Sequence, residues 1–282
     1  VEERVGRMGK LVDAFKARQR SWAWGCGVRL YGLDYCSEVG DNLFQPLSEE
    51  TRRDFESGGG GEPGRPGRRG KMRALHSSSA LACNFFDYWR GRDLEPLARA
   101  LGSPARPEGL RFEAGFPTGL RGNSPNLDVV FHSADGTVLA VESKFTEWLG
   151  RSKAKNRLRE GYFPRGRELW GERGLPGCQA LAEEIRKGAV PFSMLHAAQL
   201  LRHMLGLAAA GSAWKFLCLW YAPQGSEADR YGAELELFAR AIGPDAERFG
   251  ALTYQELFER LCGRIGGDGH RAWMSYMRTR YF

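Results

Sequence analysis

The sequence predicts an α/β layer fold, a central mixed sheet flanked by helices with helical additions at both ends. Three observations predict it. Short runs rich in Val and Phe recur at 110–116, 127–132 and 138–145, separated by Gly, Pro, Asn and Asp. Helical patterning follows at 181–187 and 192–209. The apolar run KFLCLWY at 215–221 then stops at Pro223 and Gly225, as a central strand buried on both faces does.

The remaining elements follow in chain order. Residues 2–20 read as a charged, weakly amphipathic helix, and 21–56 are mixed and aromatic, with Trp22, Trp24, Tyr31, Tyr35 and Phe44. The segment SGGGGEPGRPGRRG at 57–70 is mostly Gly and Pro, so ordering it costs entropy with little apolar burial in return. It reads as a flexible basic loop ending in Arg65, Arg68, Arg69, Lys71 and Arg73. Ser77, Ser78 and Ser79 supply a cap for a helix over 80–89. A second short helix at 94–101 stops at Gly102. Helices are expected at 227–241, 254–262 and 270–281. The chain divides into an extension at 1–56, the loop at 57–73 and one domain at 74–282, with its core at about 110–223.

Composition narrows the function classes. The chain has 282 residues, 42% hydrophobic and 27% charged, enough to bury a core. The stretch 195–210 is broken by His196, Gln199, Arg202 and His203, and no apolar run is long enough to cross a membrane. The first residues, VEERVGRMGK, lack the apolar stretch of a signal peptide. Six cysteines stand singly, without zinc-ligand spacing, which suits free thiols in a reducing cytoplasm. Membrane, secreted-scaffold, collagenous and repeat classes are set aside.

Lys and Arg number 41 against 34 Asp and Glu, a net charge of +7 that suits a phosphate-rich partner. The excess concentrates at 150–166, where Arg151, Lys153, Lys155, Arg157, Arg159 and Arg165 face one acid, Glu160. Arg151, Lys153, Lys155 and Arg157, with Arg68, Arg69 and Lys71 of the loop, are the candidate nucleic-acid-binding residues. Trp148, Tyr162 and Phe163 interleave with the basic run and suit either stacking on bases or packing. The plain alternative for the charges is a solvated surface.

The informative stretch is NLDVVFHSADGTVLAVESKFTEW at 126–148. Glu142 and Lys144 sit two apart, so both project from one face of a strand whose neighbours are apolar. A charged pair there is costly unless it is paired or binds an ion. A two-residue turn at Asp135-Gly136 would set Asp128 opposite Ser143. A three-residue turn at Ala134-Asp135-Gly136, with Gly136 left-handed, sets Asp128 opposite Glu142. We favour the odd turn, because it gathers two carboxylates and one amine. Facing carboxylates repel, and a hard divalent cation such as Mg²⁺ or Mn²⁺ removes the conflict. Such a cation polarises a phosphoryl oxygen and lowers the pKa of bound water, and Lys144 can orient or help deprotonate that water or offset charge on the phosphate. The bland reading is a salt bridge at the end of a solvated strand.

The order Pro125-Asn126-Leu127-Asp128, then Glu142-Ser143-Lys144 on the next strand, resembles the signature of the PD-(D/E)xK nuclease superfamily, the restriction-endonuclease-like fold. Here Asn126 and Leu127 loosen the proline–aspartate step. The resemblance covers about 110–223. It implies three antiparallel strands, a crossing helix and a further strand, with metal-dependent cleavage of nucleic acid. It implies Asp128, Glu142 and the Ser143 carbonyl as metal ligands and Lys144 as the catalytic lysine. Members often add a glutamate before the aspartate, for which Glu113 is the candidate, and a polar residue on the following helix, for which Gln199 is the candidate. His196, Gln199 and His203 form one polar stripe on that helix, and the two histidines read as structural or exposed rather than as ligands. The expected function is a Mg²⁺-dependent DNA endonuclease of restriction or defence type, and double-strand cleavage, which takes two sites, would suit a homodimer. The rival is a non-catalytic nucleic-acid-binding or partner-docking module that keeps the fold.

Overall fold

A computed structural model describes residues 2–58, 61–65, 67–122, 124–149, 156–189 and 191–282, without the side chains of 2–8, 10, 65 and 68. Its five-stranded sheet comprises β1 (Pro107–Gly115), β2 (Asn126–Ser133), β3 (Val138–Lys144), β4 (Trp214–Trp220) and β5 (Phe249–Thr253), in that spatial order. Strands β1, β2 and β3 are antiparallel neighbours, while β3–β4 and β4–β5 are parallel. The mixed sheet flanked by helices is the architecture the sequence predicts.

The helices are α1 (Glu2–Gly25), α2 (Glu49–Ser57), α3 (Ser78–Phe86), α4 (Glu95–Leu101), α5 (Pro176–Lys187), α6 (Ala197–Ala209), α7 (Ser226–Ala241), α8 (Tyr254–Cys262) and α9 (Arg271–Arg280). A parallel β3–β4 pair needs a crossover, and α5 and α6 supply it. The alternation of side chains along the sheet separates two helical layers. Phe131 on one face meets Phe86 of α3, and Ser143 Oγ meets Tyr254 of α8 at 2.6 Å. Glu142 and Phe216 on the other face meet Gln199 and His203 of α6. The β4 residues are almost all buried, as the apolar run at 215–221 predicts, and Cys218 is fully so.

The β2–β3 turn holds three residues. Val129 pairs with Val141 and His132 with Val138, and the Ser133 amide bonds the Thr137 carbonyl across Ala134, Asp135 and Gly136. Gly136 has a φ of +79°, open to glycine at little cost, and the Asp135 carboxylate accepts the Thr137 amide at 2.8 Å. This register places Asp128 opposite Glu142.

Helix α2 covers the β1 edge of the sheet. Asp54 accepts the Phe112 amide at 3.0 Å and the Arg90 guanidinium at 2.6 Å, so an edge N–H is satisfied without another strand. The extension at 1–56 shares the sheet's core: the Phe15 ring lies 5.5 Å from Phe145 and 5.0 Å from Tyr221. At the other terminus Arg280 of α9 is fully buried, bonding Asn42 and Gln19, its guanidinium 4.0 Å over the Trp22 ring. In the loop at 57–73, Gly64–Arg65 pairs antiparallel with Arg68–Arg69.

Three expectations change. Helix α6 begins at Ala197, not 192. The Glu234 carboxylate of α7 accepts the amides of Ser193, Met194 and Leu195 at 2.8–3.0 Å and so holds these residues in a turn. The helix expected at 80–89 ends at Phe86 and tightens to a 3₁₀ turn at Asp87–Trp89. Strand β5 lies beyond the 110–223 core and was not expected. Its sequence FGALT is short and holds a glycine, and only pairing with β4 makes it a strand.

Candidate active site

The C-terminal end of β3 opens into a cleft of about 560 Å³, lined by Glu113, Asp128, Glu142, Ser143, Lys144 and Gln199. Glu62, Lys71, Ala74, His76, Ser77, Ser78, Ser79, Thr146 and Glu147 complete it. The predicted residues of β1, β2, β3 and α6 thus meet in one place.

Glu142 is buried, and its Oε1 accepts Lys144 Nζ at 2.5 Å and Gln199 Nε2 at 2.6 Å. Gln199 Oε1 in turn lies 3.1 Å from Lys144 Nζ and 3.1 Å from His196 Nδ1. Helical spacing explains this: Gln199 and His203 are four apart, on one face of α6 toward β3. Glu142 Oε2 is buried with no hydrogen-bond partner among the described residues, although His203 Nε2 lies 3.1 Å away, off the hydrogen-bonding direction. His203 is buried beside Glu142.

Asp128 Oδ2 accepts the Ser143 amide at 2.6 Å. The N–H and C=O of one strand residue point to the same side, so the Ser143 carbonyl also faces β2 and Asp128. Its side chain turns to Tyr254 on the opposite face. Glu113 stands across from Asp128, between the Phe112–Val129 and Ala114–Leu127 pairs. Its φ of +50° is strained for a residue with a side chain. Gly58 permits this close packing, because a Cβ there would come within 2.4 Å of Glu113 Cβ. Asn126 Nδ2 bonds the Gly58 carbonyl and reaches Glu113 Oε2 at 3.5 Å.

The electrostatics follow from burial and crowding. Burial first, then Glu142 and Glu113, push the Asp128 carboxyl well above its ordinary range. Burial and the nearby Glu62 raise Glu113 to about 7. Burial also opposes ionisation of Glu142, but the Lys144 ammonium and then the His203 ring outweigh it and hold this carboxyl at about 2. Burial would lower Lys144, yet Glu142 and Asp128 overcome it and keep the amine protonated beyond its usual range. A protonated Lys144 suits charge stabilisation or water orientation, not proton abstraction.

Among the described residues no group of three or more His, Cys, Asp or Glu side chains is placed to hold a metal. The set that fits is smaller: Asp128, Glu142 and the Ser143 carbonyl, all hard oxygen donors. Mg²⁺ commonly takes one or two carboxylates and keeps several waters. The crowding of Asp128 with two further acids is the feature a bound cation would relieve.

The basic candidates divide. Arg151, Lys153 and Lys155 lie outside the described residues, as does the Arg68 side chain. Arg157 is exposed and lines a separate cavity with Glu160 and Arg186. Arg69 sits 3.6 Å over the Tyr31 ring, and Lys71 lines the cleft at the end of β3, bonded to Glu62 at 2.9 Å. Trp148 is buried against Trp220 and Tyr231, so it is unavailable to a base. Tyr162 stacks on Trp170. Sequence reasoning missed Glu62, His76 and the serines of the α3 cap as lining residues. The Ser77 cap was visible, but its place beside the acids was not, because it depends on the packing of α3 across the sheet.

Among the described residues no helix is long and apolar enough to cross a membrane, and all six cysteines are free thiols. No curated protein and no solved structure matches the chain. A family model described as restriction endonuclease associating with ARP matches residues 16–282, nearly the whole chain. With its mixed sheet and its acids gathered at the end of β3, the chain belongs to this restriction-endonuclease family, a nuclease class whose substrate is nucleic acid.

Proposed function

We propose that this protein is a Mg²⁺- or Mn²⁺-dependent endonuclease that hydrolyses phosphodiester bonds in DNA, of the restriction or defence type. The observation that carries the reading is the convergence of Asp128, Glu142, Lys144 and Gln199 on one cleft, produced by the odd β2–β3 turn. Asp128, Glu142 and the Ser143 carbonyl would hold the cation. When bound it supplies a Lewis acid for the phosphate and a more acidic water.

The chain's own residues do the rest. The Lys144 ammonium, fixed by Glu142 and Gln199, faces the cleft and offsets negative charge on the phosphate. Gln199 holds Glu142 Oε1 and so orients the carboxylate. Glu113 adds a third acid beside Asp128, able to take up a proton near neutrality. Arg69, Lys71 and the basic stretch at 151–157 hold the nucleic-acid backbone. A homodimer would present two such clefts to the two strands. The free thiols suit a cytoplasmic setting. We extend to this chain the association with ARP that the family's description states.

Incubation of supercoiled plasmid with the protein and Mg²⁺, Mn²⁺ or EDTA tests the reading. Nicked or linear product is expected with either cation and not in EDTA, and Lys144→Ala should lose roughly 10²–10³-fold in rate. Cation-independent cleavage, or an equally active variant, overturns it. Retained binding without any cleavage points to the non-catalytic module.

A further inference from the structure

The large apolar side chains exposed among the described residues, Trp24, Tyr31, Leu33 and Tyr35, all fall within residues 24–35. Trp24 is on the last turn of α1, and Tyr31 and Tyr35 pair across the ribbon that follows it. Scattered exposed aromatics are ordinary, but a group of them beside cations marks a binding surface. Here the cations are Arg69, whose guanidinium lies 3.6 Å over the Tyr31 ring, Lys71 and Arg73. Together with Tyr31, Tyr35 and Ala74 these residues line a recess of about 470 Å³. That is within the roughly 300–1,000 Å³ range of sites that enclose small organic groups.

The recess adjoins the catalytic cleft. Lys71 and Ala74 line both. Tyr35 forms a backbone bridge to Ala74, and its ring meets that of His76, a lining residue of the cleft, at 6.5 Å. A strand whose phosphate lay at Lys144 would therefore pass Lys71 and bring neighbouring nucleotides to the two tyrosines. A paired base offers only its edges, whereas an unpaired base offers its face to an aromatic ring.

We propose that Tyr31 and Tyr35, with Arg69, form a stacking subsite for unpaired nucleotides flanking the scissile phosphate. The chain then acts on nucleic acid carrying a single-stranded, bulged or extruded segment. Aromatic faces, guanidinium and ammonium charge, and continuity with the cleft favour this occupant over a protein partner. The subsite rests on the nuclease reading, from which its test is separable.

The experiment measures binding in EDTA, where no cleavage occurs, by anisotropy of a labelled duplex with an unpaired bulge. A fully paired duplex of the same length is the comparison. Plasmid cleavage in Mg²⁺ is followed in parallel. The wild type should prefer the bulged duplex, and Tyr31→Ala with Tyr35→Ala should lose about tenfold or more in that preference. Tyr31→Trp should keep it, which separates loss of a stacking face from loss of fold. An unpaired 2-aminopurine should be quenched by the wild type and not by the double alanine variant. Equal affinity for both duplexes, or a preference that survives in a folded double alanine variant, overturns the subsite. If plasmid cleavage persists in that case, the nuclease reading stands without it. Absence of cleavage with the binding preference intact sinks the nuclease reading alone.

Discussion

Asp128 Oδ2 accepts the backbone amide of Ser143 at 2.6 Å, across the open end of the β2–β3 pair. That bond ties the position of one proposed ligand to the backbone of another. It also orients Asp128 without compensating its charge against Glu142 and Glu113.

Replacing Asp128 by Asn keeps an acceptor for the Ser143 amide and removes a crowded charge. Metal-free Asp128→Asn is expected to melt about 2–4 °C higher than the wild type, the shift that roughly 1 kcal/mol gives in a domain of this size. Its Mg²⁺ affinity is expected to fall at least tenfold in calorimetry. An unchanged affinity removes Asp128 from the ligand set.

Glu113 has a distinct pH signature. Its folded pKa, about 7, lies above the unfolded carboxyl value, so the folded state binds the proton more tightly. The Glu113 contribution to the stability of the metal-free protein should therefore fall as pH rises from about 4.5 to about 7 and level off above that. Glu113→Gln should flatten that part of the curve in urea unfolding, and added Mg²⁺ should reduce the slope in the wild type. The same slope in the variant contradicts the assignment.

Gln199 touches both Glu142 Oε1 and Lys144 Nζ. Gln199→Ala should lower kcat by roughly 10–100-fold and leave KM near its wild-type value, since the lost contacts orient the reacting groups rather than hold substrate. A change confined to KM would place Gln199 in substrate binding.

Glu234 acts at longer range. Its carboxylate takes the Ser193 hydroxyl and three consecutive amides ahead of α6, and the helix that follows carries Gln199 and His203. Glu234→Ala strands the buried amides of Met194 and Leu195 and should cost about 2–4 kcal/mol in chemical unfolding. A loss below about 1 kcal/mol would show that the turn is held by other contacts.

The division between what the sequence reveals and what it hides follows the range of the interactions. The meeting of Asp128 with Glu142 is local: one turn, ended by a glycine that accepts φ of +79°, sets it. The buried β4 run announces itself by composition. By contrast, the start of α6 depends on Glu234, some 40 residues downstream, and an apolar stretch at 192–196 looks helical without it. Strand β5 exists because β4 offers an edge. Burial of Trp148 and the approach of His203 to Glu142 both come from packing of α6 and α7 on the sheet. Periodicity shows which face of a helix His203 occupies, but not what lies across from it.

The most direct measurement is a crystal structure of the protein soaked in Mn²⁺, with anomalous scattering used to locate the ion. The account predicts a peak coordinated by Asp128, Glu142 and the Ser143 carbonyl oxygen, with Lys144 Nζ beside it. A cleft without a peak at saturating Mn²⁺, or an ion bound away from both carboxylates, would contradict it.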